Sequence, residues 1–373
     1  MKRVIMIKVE NFNKAKQLLT RENFWESFTV SPRMAIQIKQ VFGKELSPQE
    51  VVERIVNEVR DKGDKALFDY ARKLDSVELD SLEVSREEIS AARDAVDKEL
   101  ISAFELAAKR IHDFHFACLS RGSEPKLGAK RGGNEGTNMV PVDKYLGQQF
   151  RPLEKVGLYV PGGTAAYPST VLMMAIPARE AGVEGIIMVS PPGKDGRIPA
   201  PTLVAADIAE VSRVFKVGGA QAIAALAFGT ESIPKVDKIC GPGNIFVTLA
   251  KKMVYGVVAI DGLEGPSEIV IVADETANPA LCAADLLAQA EHDPLALVIL
   301  ITTSSRLLEK VEKEVVTQLG KLSRASIATQ AIDRGMLVLV DSMAQAVELA
   351  NLFAPEHLSL MVSDAFSLVP EIH

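Results

Sequence analysis

The sequence is poor in cysteine and tryptophan and has no long apolar run. Its three cysteines show no metal-binding or redox spacing, which predicts a reducing, cytoplasmic compartment. No stretch approaches the roughly 18–20 apolar residues of a membrane span. The net charge of −7, with Lys and Arg spread along the chain, argues against a nucleic-acid or membrane-surface partner. The 373 residues, 47% of them apolar, suffice for two or three domains with sizeable cores.

The first third of the chain is predicted to be helical after a weakly patterned beginning. Residues 1–46 show no clear period and are interpreted as an N-terminal arm or helical tail. The capping-box patterns Ser47–Glu50 and Ser85–Glu88 each begin a helix, and the apolar spacing is helical from 48 to about 118. Residues 121–138 carry five glycines and no apolar period, which predicts a loop.

Short runs rich in Val and Ile alternate with helical patterns from residue 155 onwards. This alternation predicts an α/β protein whose parallel sheets are covered by helices on both faces. The predicted strands are Val156–Val160, Gly185–Val189, Val214–Val217, Lys238–Cys240, Val257–Ile260, Ile269–Ala273, Ala296–Ile301, Met336–Val340 and His357–Val362. The predicted helices are Ser169–Ala181, Ala200–Ala209, Ala220–Phe228, Ile245–Val254, Pro279–Glu291, Ser305–Gly320 and Met343–Phe353.

Four strands of the middle region run into glycine-rich loops. Glycine lets backbone N–H groups approach a phosphate at the carboxyl edge of a parallel sheet. Tyr159, Gln221 and Asn244 are presented there, which favours a nucleotide crevice; the alternative is that the glycines only make tight turns. The fingerprint G-x-G-x-x-G is absent, so an NAD site would be non-standard. The loops are Pro161-Gly162-Gly163, Pro191-Pro192-Gly193, Gly218-Gly219-Ala220-Gln221 and Gly241-Pro242-Gly243-Asn244.

Gln289 and His292 lie three residues apart near the end of one predicted helix, where both can reach one ion. Cys282 and Asp285 share that face. An imidazole with an amide oxygen suits zinc, but zinc needs about four ligands, so the pair is interpreted as half of a metal site. The alternative is an ordinary polar helix end.

Glu356 and His357 follow a proline that ends a predicted helix. A carboxylate beside an imidazole is typical equipment for moving protons from an alcohol or a water, so the two are interpreted as an acid/base pair. The alternative is a surface turn with a capping glutamate. His112 and His115 also have metal-like spacing but are interpreted as part of an amphipathic helix face.

Six motifs, in order along the chain, resemble the histidinol dehydrogenase family from about residue 47 to the last residue. The resemblance implies two incomplete Rossmann-like domains with parallel sheets, one inserted into the other, after the N-terminal arm of residues 1–46. The first domain is expected at 47–157 plus 269–373, and the inserted one at 158–268. The motifs are Leu158-Tyr159-Val160-Pro161-Gly162-Gly163, residues 217–226, Gly241-Pro242-Gly243-Asn244, Gly265-Pro266-Ser267-Glu268, Gln289-Ala290-Glu291-His292 and Pro355-Glu356-His357-Leu358.

The resemblance also implies an activity. The family oxidises L-histidinol to L-histidine through a bound aldehyde, in the last steps of histidine biosynthesis, using zinc and NAD. Two hydrides pass in turn to two NAD molecules, and the enzyme is a homodimer. Carried over by motif, Tyr159, Gln221 and Asn244 are expected to contact NAD.

The same resemblance assigns the remaining site residues. Gln289 and His292 are expected to ligate zinc and to contact the substrate. Ser267 and His357 are expected to contact the substrate only. Glu356 is expected to activate the water that attacks the aldehyde, and His357 to accept protons. Zinc in this role is a Lewis acid, and the hydride chemistry belongs to NAD.

The family pattern continues beyond His373 with a tail, lacking here, that is expected to supply an aspartate and a histidine to the zinc. Gly262-Leu263-Glu264 also departs from the family's usual Met-Pro-Ala-like stretch and bears on the substrate wall. Two alternatives stay open. One is a related zinc- and NAD-dependent dehydrogenase of another small alcohol, such as a sulfonated diol. The other is an inactive, truncated form that folds without holding zinc.

Overall fold

The computed structural model describes residues 6–20, 32–121, 138–141, 147–162, 166–263 and 265–373. The chain divides into two compact units, and the second interrupts the first. Unit 1 comprises Met1–Thr29 and Gly265–His373, and unit 2 comprises Val30–Glu264. None of the helices in the described ranges is long and apolar enough to cross a membrane.

Both units are α/β, as predicted, and each predicted strand and helix from residue 155 onwards is confirmed to within about two residues. The strands are β1 (Ile7–Val9), β2 (Asn138–Pro141), β3 (Gly147–Phe150), β4 (Lys155–Tyr159), β5 (Gly185–Ser190), β6 (Arg213–Lys216), β7 (Lys238–Cys240), β8 (Ala259–Ile260), β9 (Glu268–Ala273), β10 (Leu297–Thr302), β11 (Met336–Leu339) and β12 (His357–Met361).

The helices are α1 (Phe12–Leu19), α2 (Pro32–Phe42), α3 (Pro48–Lys62), α4 (Asp64–Tyr70), α5 (Arg86–Ala95), α6 (Lys98–Arg121), α7 (Pro168–Glu180), α8 (Ala200–Ile208), α9 (Gly219–Phe228), α10 (Ile245–Val254), α11 (Pro279–Ala290), α12 (Ser305–Leu319), α13 (Ala325–Ile332), α14 (Met343–Phe353) and α15 (Ala365–Leu368). A π-helical turn (Ala71–Asp75) follows α4, and a 3₁₀ turn (Val369–Glu371) follows α15.

The sheet of unit 1 has five parallel strands in the order β1-β11-β10-β9-β12. One face packs on α11, α12 and α13, and the other on α1 and α14, so the central strands are buried on both sides.

The predicted N-terminal arm needs a correction, because Ile7–Val9 form an edge strand paired with β11. So short a run, interrupted by Lys8, carries little periodic signal of its own.

The sheet of unit 2 has the order β6-β5-β4-β7-β8 and is also parallel. The chain builds outward from β4 to β5 and β6, and then returns to the other side with β7 and β8. The order therefore reverses between β4 and β7, and ligands bind at the carboxyl ends of strands at such a switch point. A separate antiparallel hairpin joins β2 and β3.

The helices α2 to α6 belong to unit 2, so the expected division of the chain differs from the observed one. Residues 47–157 cluster with the middle of the chain rather than with 269–373. The segment before α5 pairs with β6, since Val84 N donates to Val214 O at 2.9 Å and Lys216 N donates to Leu82 O at 2.7 Å. Amphipathic spacing shows which helix face is buried but not against what.

Two local predictions in this third have clear outcomes. Both capping boxes are present, with Ser47 and Ser85 each accepting from the backbone three residues on. Of the predicted loop at 121–138, residues 122–137 lie outside the described part of the chain.

Candidate active site

The glycine-rich loops of unit 2 meet around Pro191 at the carboxyl edge of the sheet. A Cβ on Gly162 would lie 2.9 Å from Pro191 Cγ, and one on Gly218 would lie 2.4 Å from Pro191 Cβ. The loops after β4, β5 and β6 are therefore packed on one another at a distance that only glycine permits. Gly163 lies outside the described residues.

Tyr159 ends β4 and lies among these loops. Its side chain is buried, and its hydroxyl oxygen accepts a hydrogen bond from Gly219 N at 3.1 Å. Burial raises the pKa of Tyr159 to about 12, and the negative charge of nearby Asp75 adds to the rise. The phenol is therefore neutral near pH 7, with its own hydrogen available for a ligand.

Two buried polar side chains at this edge lack a hydrogen-bond partner within the described structure. They are the Oε1 atom of Gln221 and the Oγ atom of Ser190, which ends β5. Gln221 folds against the loop that Tyr159 holds, because a Cβ on Gly219 would lie 2.6 Å from Gln221 Oε1. An unsatisfied buried polar atom costs about 1–3 kcal/mol, so both atoms suit contact with a ligand or water.

Ser190 was not among the residues predicted from the sequence. A serine before two prolines looks like part of a turn. Its position at the end of a buried run, one residue before a glycine-rich loop, is the signal that could have found it.

Asn244 caps α10. Its Oδ1 atom accepts from Phe246 N at 3.0 Å and from Val247 N at 3.3 Å. The side-chain oxygen is therefore engaged in the cap, which leaves the amide NH₂ as the group that could meet a ligand. The positive end of the helix dipole lies here too, and it favours an anion.

Asp75, in the π-helical turn, is a partly buried carboxyl group near Tyr159. Burial raises the pKa of this carboxyl to about 6, well above its ordinary value of about 4. The folded state thus holds this proton more tightly than the unfolded chain. Between about pH 4 and pH 6 the free energy of unfolding must therefore fall as pH rises.

We expect Asp75→Asn to remove this fall and to raise the free energy of unfolding at pH 7 by about 1–3 kcal/mol. Urea unfolding at pH 4, 5, 6 and 7 measures it. Asp80→Asn is a matched control, since Asp80 is exposed on the same segment. An Asp75→Asn protein whose pH dependence parallels that of the wild type would contradict the prediction.

The candidate catalytic residues of unit 1 lie at the opposite edge of their own sheet, the amino edge. Ser267 immediately precedes β9, and Glu356 immediately precedes β12, whose first residue is His357. Gln289 lies in the last turn of α11, and His292 lies in the turn that leads from α11 into β10. Since β9 lies between β10 and β12, these three segments are neighbours in space.

Two side-chain contacts fix the level of α11 against β12. Cys282 Sγ lies 3.3 Å from Met361 Sδ, and Ser359 Oγ donates to Asp285 Oδ2 at 2.6 Å. The helix runs antiparallel to the strand, so a step of three residues on α11 matches a step of two on β12. Burial raises the pKa of Cys282 to about 11, so this thiol stays neutral and is a poor metal ligand.

The next step of this series brings the two predicted clusters together. From Asp285 to Gln289 the helix rises about 6 Å, and from Ser359 to His357 the strand spans about 6.6 Å. His357 points to the same face of the sheet as Ser359, because side chains two apart on a strand share a face. Gln289 and His357 therefore stand at about the same level, beside the amino edge.

Backbone and side-chain contacts orient the Glu356–His357 pair. Glu356 Oε2 accepts from Glu268 N at 3.3 Å, which joins it to the start of β9. Glu356 Oε1 lies 3.7 Å from His357 Nε2, and the two side chains are 48% and 49% exposed. A carboxylate held on one oxygen, with the other beside an open imidazole, can take a proton from a bound water or alcohol.

The predicted metal half-site needs one correction. α11 ends at Ala290, and His292 lies in the following turn, exposed, with its N donating to Gln289 O at 3.1 Å. His292 lies beyond the C-cap residue Glu291, and Pro294 disfavours helical backbone at Asp293, so the helix does not extend through this segment. Gln289 Oε1 is buried with no hydrogen-bond partner among the described residues.

This donor set fits half of a zinc site. An orphaned amide oxygen and an exposed imidazole, three residues apart, are of the kind that zinc accepts. The described ranges contain no group of three or more His, Cys, Asp or Glu side chains that could hold a metal. His112, by contrast, lies with Nδ1 2.8 Å from Glu180 Oε1 and stacks on Phe116.

A sequence profile described as histidinol dehydrogenase matches residues 42–373, which is most of the chain. The chain belongs to the histidinol dehydrogenase family. It is 51% identical over 332 residues to a histidinol dehydrogenase of Dehalococcoides mccartyi, covering 88% of this chain and 72% of that protein. Identity is 49% over 324 residues to that of Clostridium acetobutylicum, covering 87% and 72%.

A crystal structure of histidinol dehydrogenase from Elizabethkingia anophelis shares the fold. The TM-score is 0.84 at 35% identity, covering 100% of this chain and 79% of that one. The resemblance drawn from the six motifs is therefore confirmed, and so is the α/β fold with two parallel sheets. In this member of the histidinol dehydrogenase family, three motifs lie at the carboxyl edge of unit 2. The other three lie at the amino edge of unit 1.

Proposed function

We propose that this protein oxidises L-histidinol to L-histidine through L-histidinal, with NAD as hydride acceptor and with zinc. The observation that carries the proposal is the placement of an orphaned Gln289 oxygen at the level of His357 in a chain of this family. A metal-assisted alcohol oxidation needs metal ligands, such as this amide oxygen, beside an acid/base pair.

In this proposal Tyr159, Gln221 and Asn244 contact NAD. The support is their shared place at the carboxyl edge of unit 2, where Tyr159 and Gln221 both contact the Gly219 loop. Tyr159 offers a neutral hydroxyl, Gln221 a buried and unpartnered amide oxygen, and Asn244 an amide at a helix N-terminus. These suit the hydroxyl and phosphate groups of a dinucleotide.

Gln289 and His292 would hold zinc, and Ser267 with His357 would contact the substrate. Zinc, when bound, acts as a Lewis acid that orients the amino alcohol and its imidazole ring. Gln289 supplies a neutral oxygen and His292 a nitrogen, so the pair adds no charge to the ion. The same two side chains therefore serve substrate binding as well as metal binding.

The two oxidations use the Glu356–His357 pair differently. In the first, hydride leaves the alcohol carbon and His357 Nε2 accepts the alcohol proton. In the second, Glu356 would take a proton from a water molecule as the water oxygen attacks the aldehyde carbon. His357 would then accept a hydroxyl proton of the hydrate as its hydride passes to the second NAD. Glu268 N, donating to Glu356 Oε2, keeps Oε1 turned towards this chemistry.

The assembly and compartment belong to the same proposal. We infer a cytoplasmic homodimer, as the family resemblance implies. No disulfide joins Cys118, Cys240 or Cys282 in the described structure, which fits a reducing compartment.

The stoichiometry of the reaction tests the function. For the full-length protein, with the tail that the family resemblance implies, we expect NADH to form with histidinol or histidinal, at about two NADH per histidine from histidinol, with chelation removing turnover and zinc restoring it. Absorbance at the NADH band, with histidine quantified by chromatography, measures it. A sulfonated diol serves as the competing substrate. Steady turnover with the diol and none with histidinol would assign the chain to the alternative small-alcohol dehydrogenase.

A further inference from the structure

Lys251 is a charged residue in an unusual position. It lies on α10, on the same face as Val247 and Val254, four residues after one and three before the other. Its side chain is only 1% exposed, although lysine is almost never fully buried unless it is paired. The adjacent Lys252 is exposed, as a helical lysine usually is.

The buried ammonium group and Asp261 together hold one peptide segment from both sides. Lys251 Nζ donates to Gly241 O at 3.1 Å and forms an ion pair with Asp261 Oδ1. Asp261 Oδ2 accepts from Gly241 N at 2.6 Å. Gly241 thus has its N–H and its C=O fixed by two charged partners that are themselves paired.

Gly241 lies between two residues proposed to contact NAD. Its φ is +126°, and a Cβ there would lie 2.1 Å from the carbonyl oxygen of Tyr159, so its backbone rests directly on the end of β4. Three residues further on, Asn244 caps the helix that carries Lys251. The position of the Gly241 peptide therefore determines where Asn244 stands relative to Tyr159.

Stability alone gives little reason for this arrangement. Taking the Lys251 ammonium group out of water is costly even though Asp261 keeps 28% of its side chain exposed, and an apolar residue in place of the lysine could stabilise the fold as well or better. What the ion pair does provide is a fixed geometry. A flexible glycine loop gains most from such fixing, because its backbone has many alternatives.

We propose that Lys251 and Asp261 are positioning residues of the cofactor site, which hold the Gly241 peptide so that Asn244 meets NAD. The inference rests on the proposed function in that the ligand is NAD. Because the pair acts on a loop rather than on the reacting atoms, its loss should weaken NAD binding and leave the chemical step little changed.

The test compares Lys251→Met and Asp261→Asn, alone and together, with Lys252→Met as the matched control. We expect each single variant to raise the Kd and the KM for NAD about 10–100-fold, with kcat at saturating NAD within about 3-fold. The double variant removes both charges, so it should fold as well as the wild type yet still bind NAD weakly. Lys252→Met should bind NAD like the wild type.

A second comparison separates positioning from a general structural role. In an Asn244→Ala background, Lys251→Met should weaken NAD binding by no more than about 2-fold further, because both changes act through Asn244. The inference would be overturned if the losses of NAD affinity from Lys251→Met and Asn244→Ala were fully additive. It would also be overturned if the variant carrying both Lys251→Met and Asp261→Asn folded and bound NAD normally. If the wild type itself fails to bind NAD in calorimetry, it is the proposed function that fails.

Discussion

In the full-length protein, with the tail that the family resemblance implies, we expect His292→Ala to abolish zinc binding and turnover while leaving the fold and NAD affinity nearly unchanged. His292 supplies the imidazole of the proposed half-site, and a zinc site that loses one of about four ligands holds the ion poorly against water. NAD binding should persist because the glycine loops belong to unit 2, whereas His292 belongs to unit 1. Metal analysis after gel filtration, circular dichroism and calorimetry with NAD measure the three properties.

His115→Ala is the matched control, since His115 lies on α6, in the other unit, and its ring contacts Phe114. It should retain the zinc content and activity of the wild type. Loss of zinc in His115→Ala, with normal zinc in His292→Ala, would move the metal to the His112–His115 segment. Gln289→Ala should lower zinc affinity less than His292→Ala, because an amide oxygen is the weaker of the two ligands.

The second large effect concerns Glu356. We expect Glu356→Gln to slow the oxidation of histidinal by about 10²–10⁴-fold, while the oxidation of histidinol to histidinal changes little. An aldehyde must be hydrated before its hydride can leave, and hydration needs a base; oxidation of an alcohol involves no water. Single-turnover formation of NADH, started separately from histidinol and from histidinal, resolves the two steps.

Glu309→Gln provides a control of equal chemistry, because Glu309 is an exposed glutamate of α12 in the same unit. It should leave both half-reactions unchanged. Equal losses in the two half-reactions of Glu356→Gln would assign Glu356 a binding role. The glutamine can still accept from Glu268 N, so local structure should survive the change.

Much of the fold could be predicted because its strands have a clear sequence pattern. Runs such as Val298–Ile301 are buried on both faces, so they are apolar throughout and end sharply at turn residues. The sequence could not predict which sheet the helices before residue 121 pack on, because the apolar spacing of α3 predicts a buried face but not the element that covers it. β1 was missed for the related reason that its partner, β11, is remote in sequence.

The candidate site was predictable residue by residue but not as an arrangement. Gln289 and Glu356 could be found from their types and neighbours, yet the contact that sets their level, Ser359 with Asp285, depends on how α11 lies on the sheet. The role of Lys251 and Asp261 in holding Gly241 was not predicted, because a lysine on a helix suggests a solvent-exposed face. The signal was available, since Lys251 follows Val247 by four residues.

The interruption of unit 1 by unit 2 has a consequence for synthesis on the ribosome. Val9 pairs with Val338, roughly 330 residues later, and the whole of unit 2 is made in between. At about 5–20 residues per second, the first strand waits on the order of tens of seconds for its partner. During that wait unit 2 can already fold, since its own strands lie within one continuous stretch. The growing chain thus matures from the middle outward, and β1 closes the edge of its sheet only after β11 has emerged.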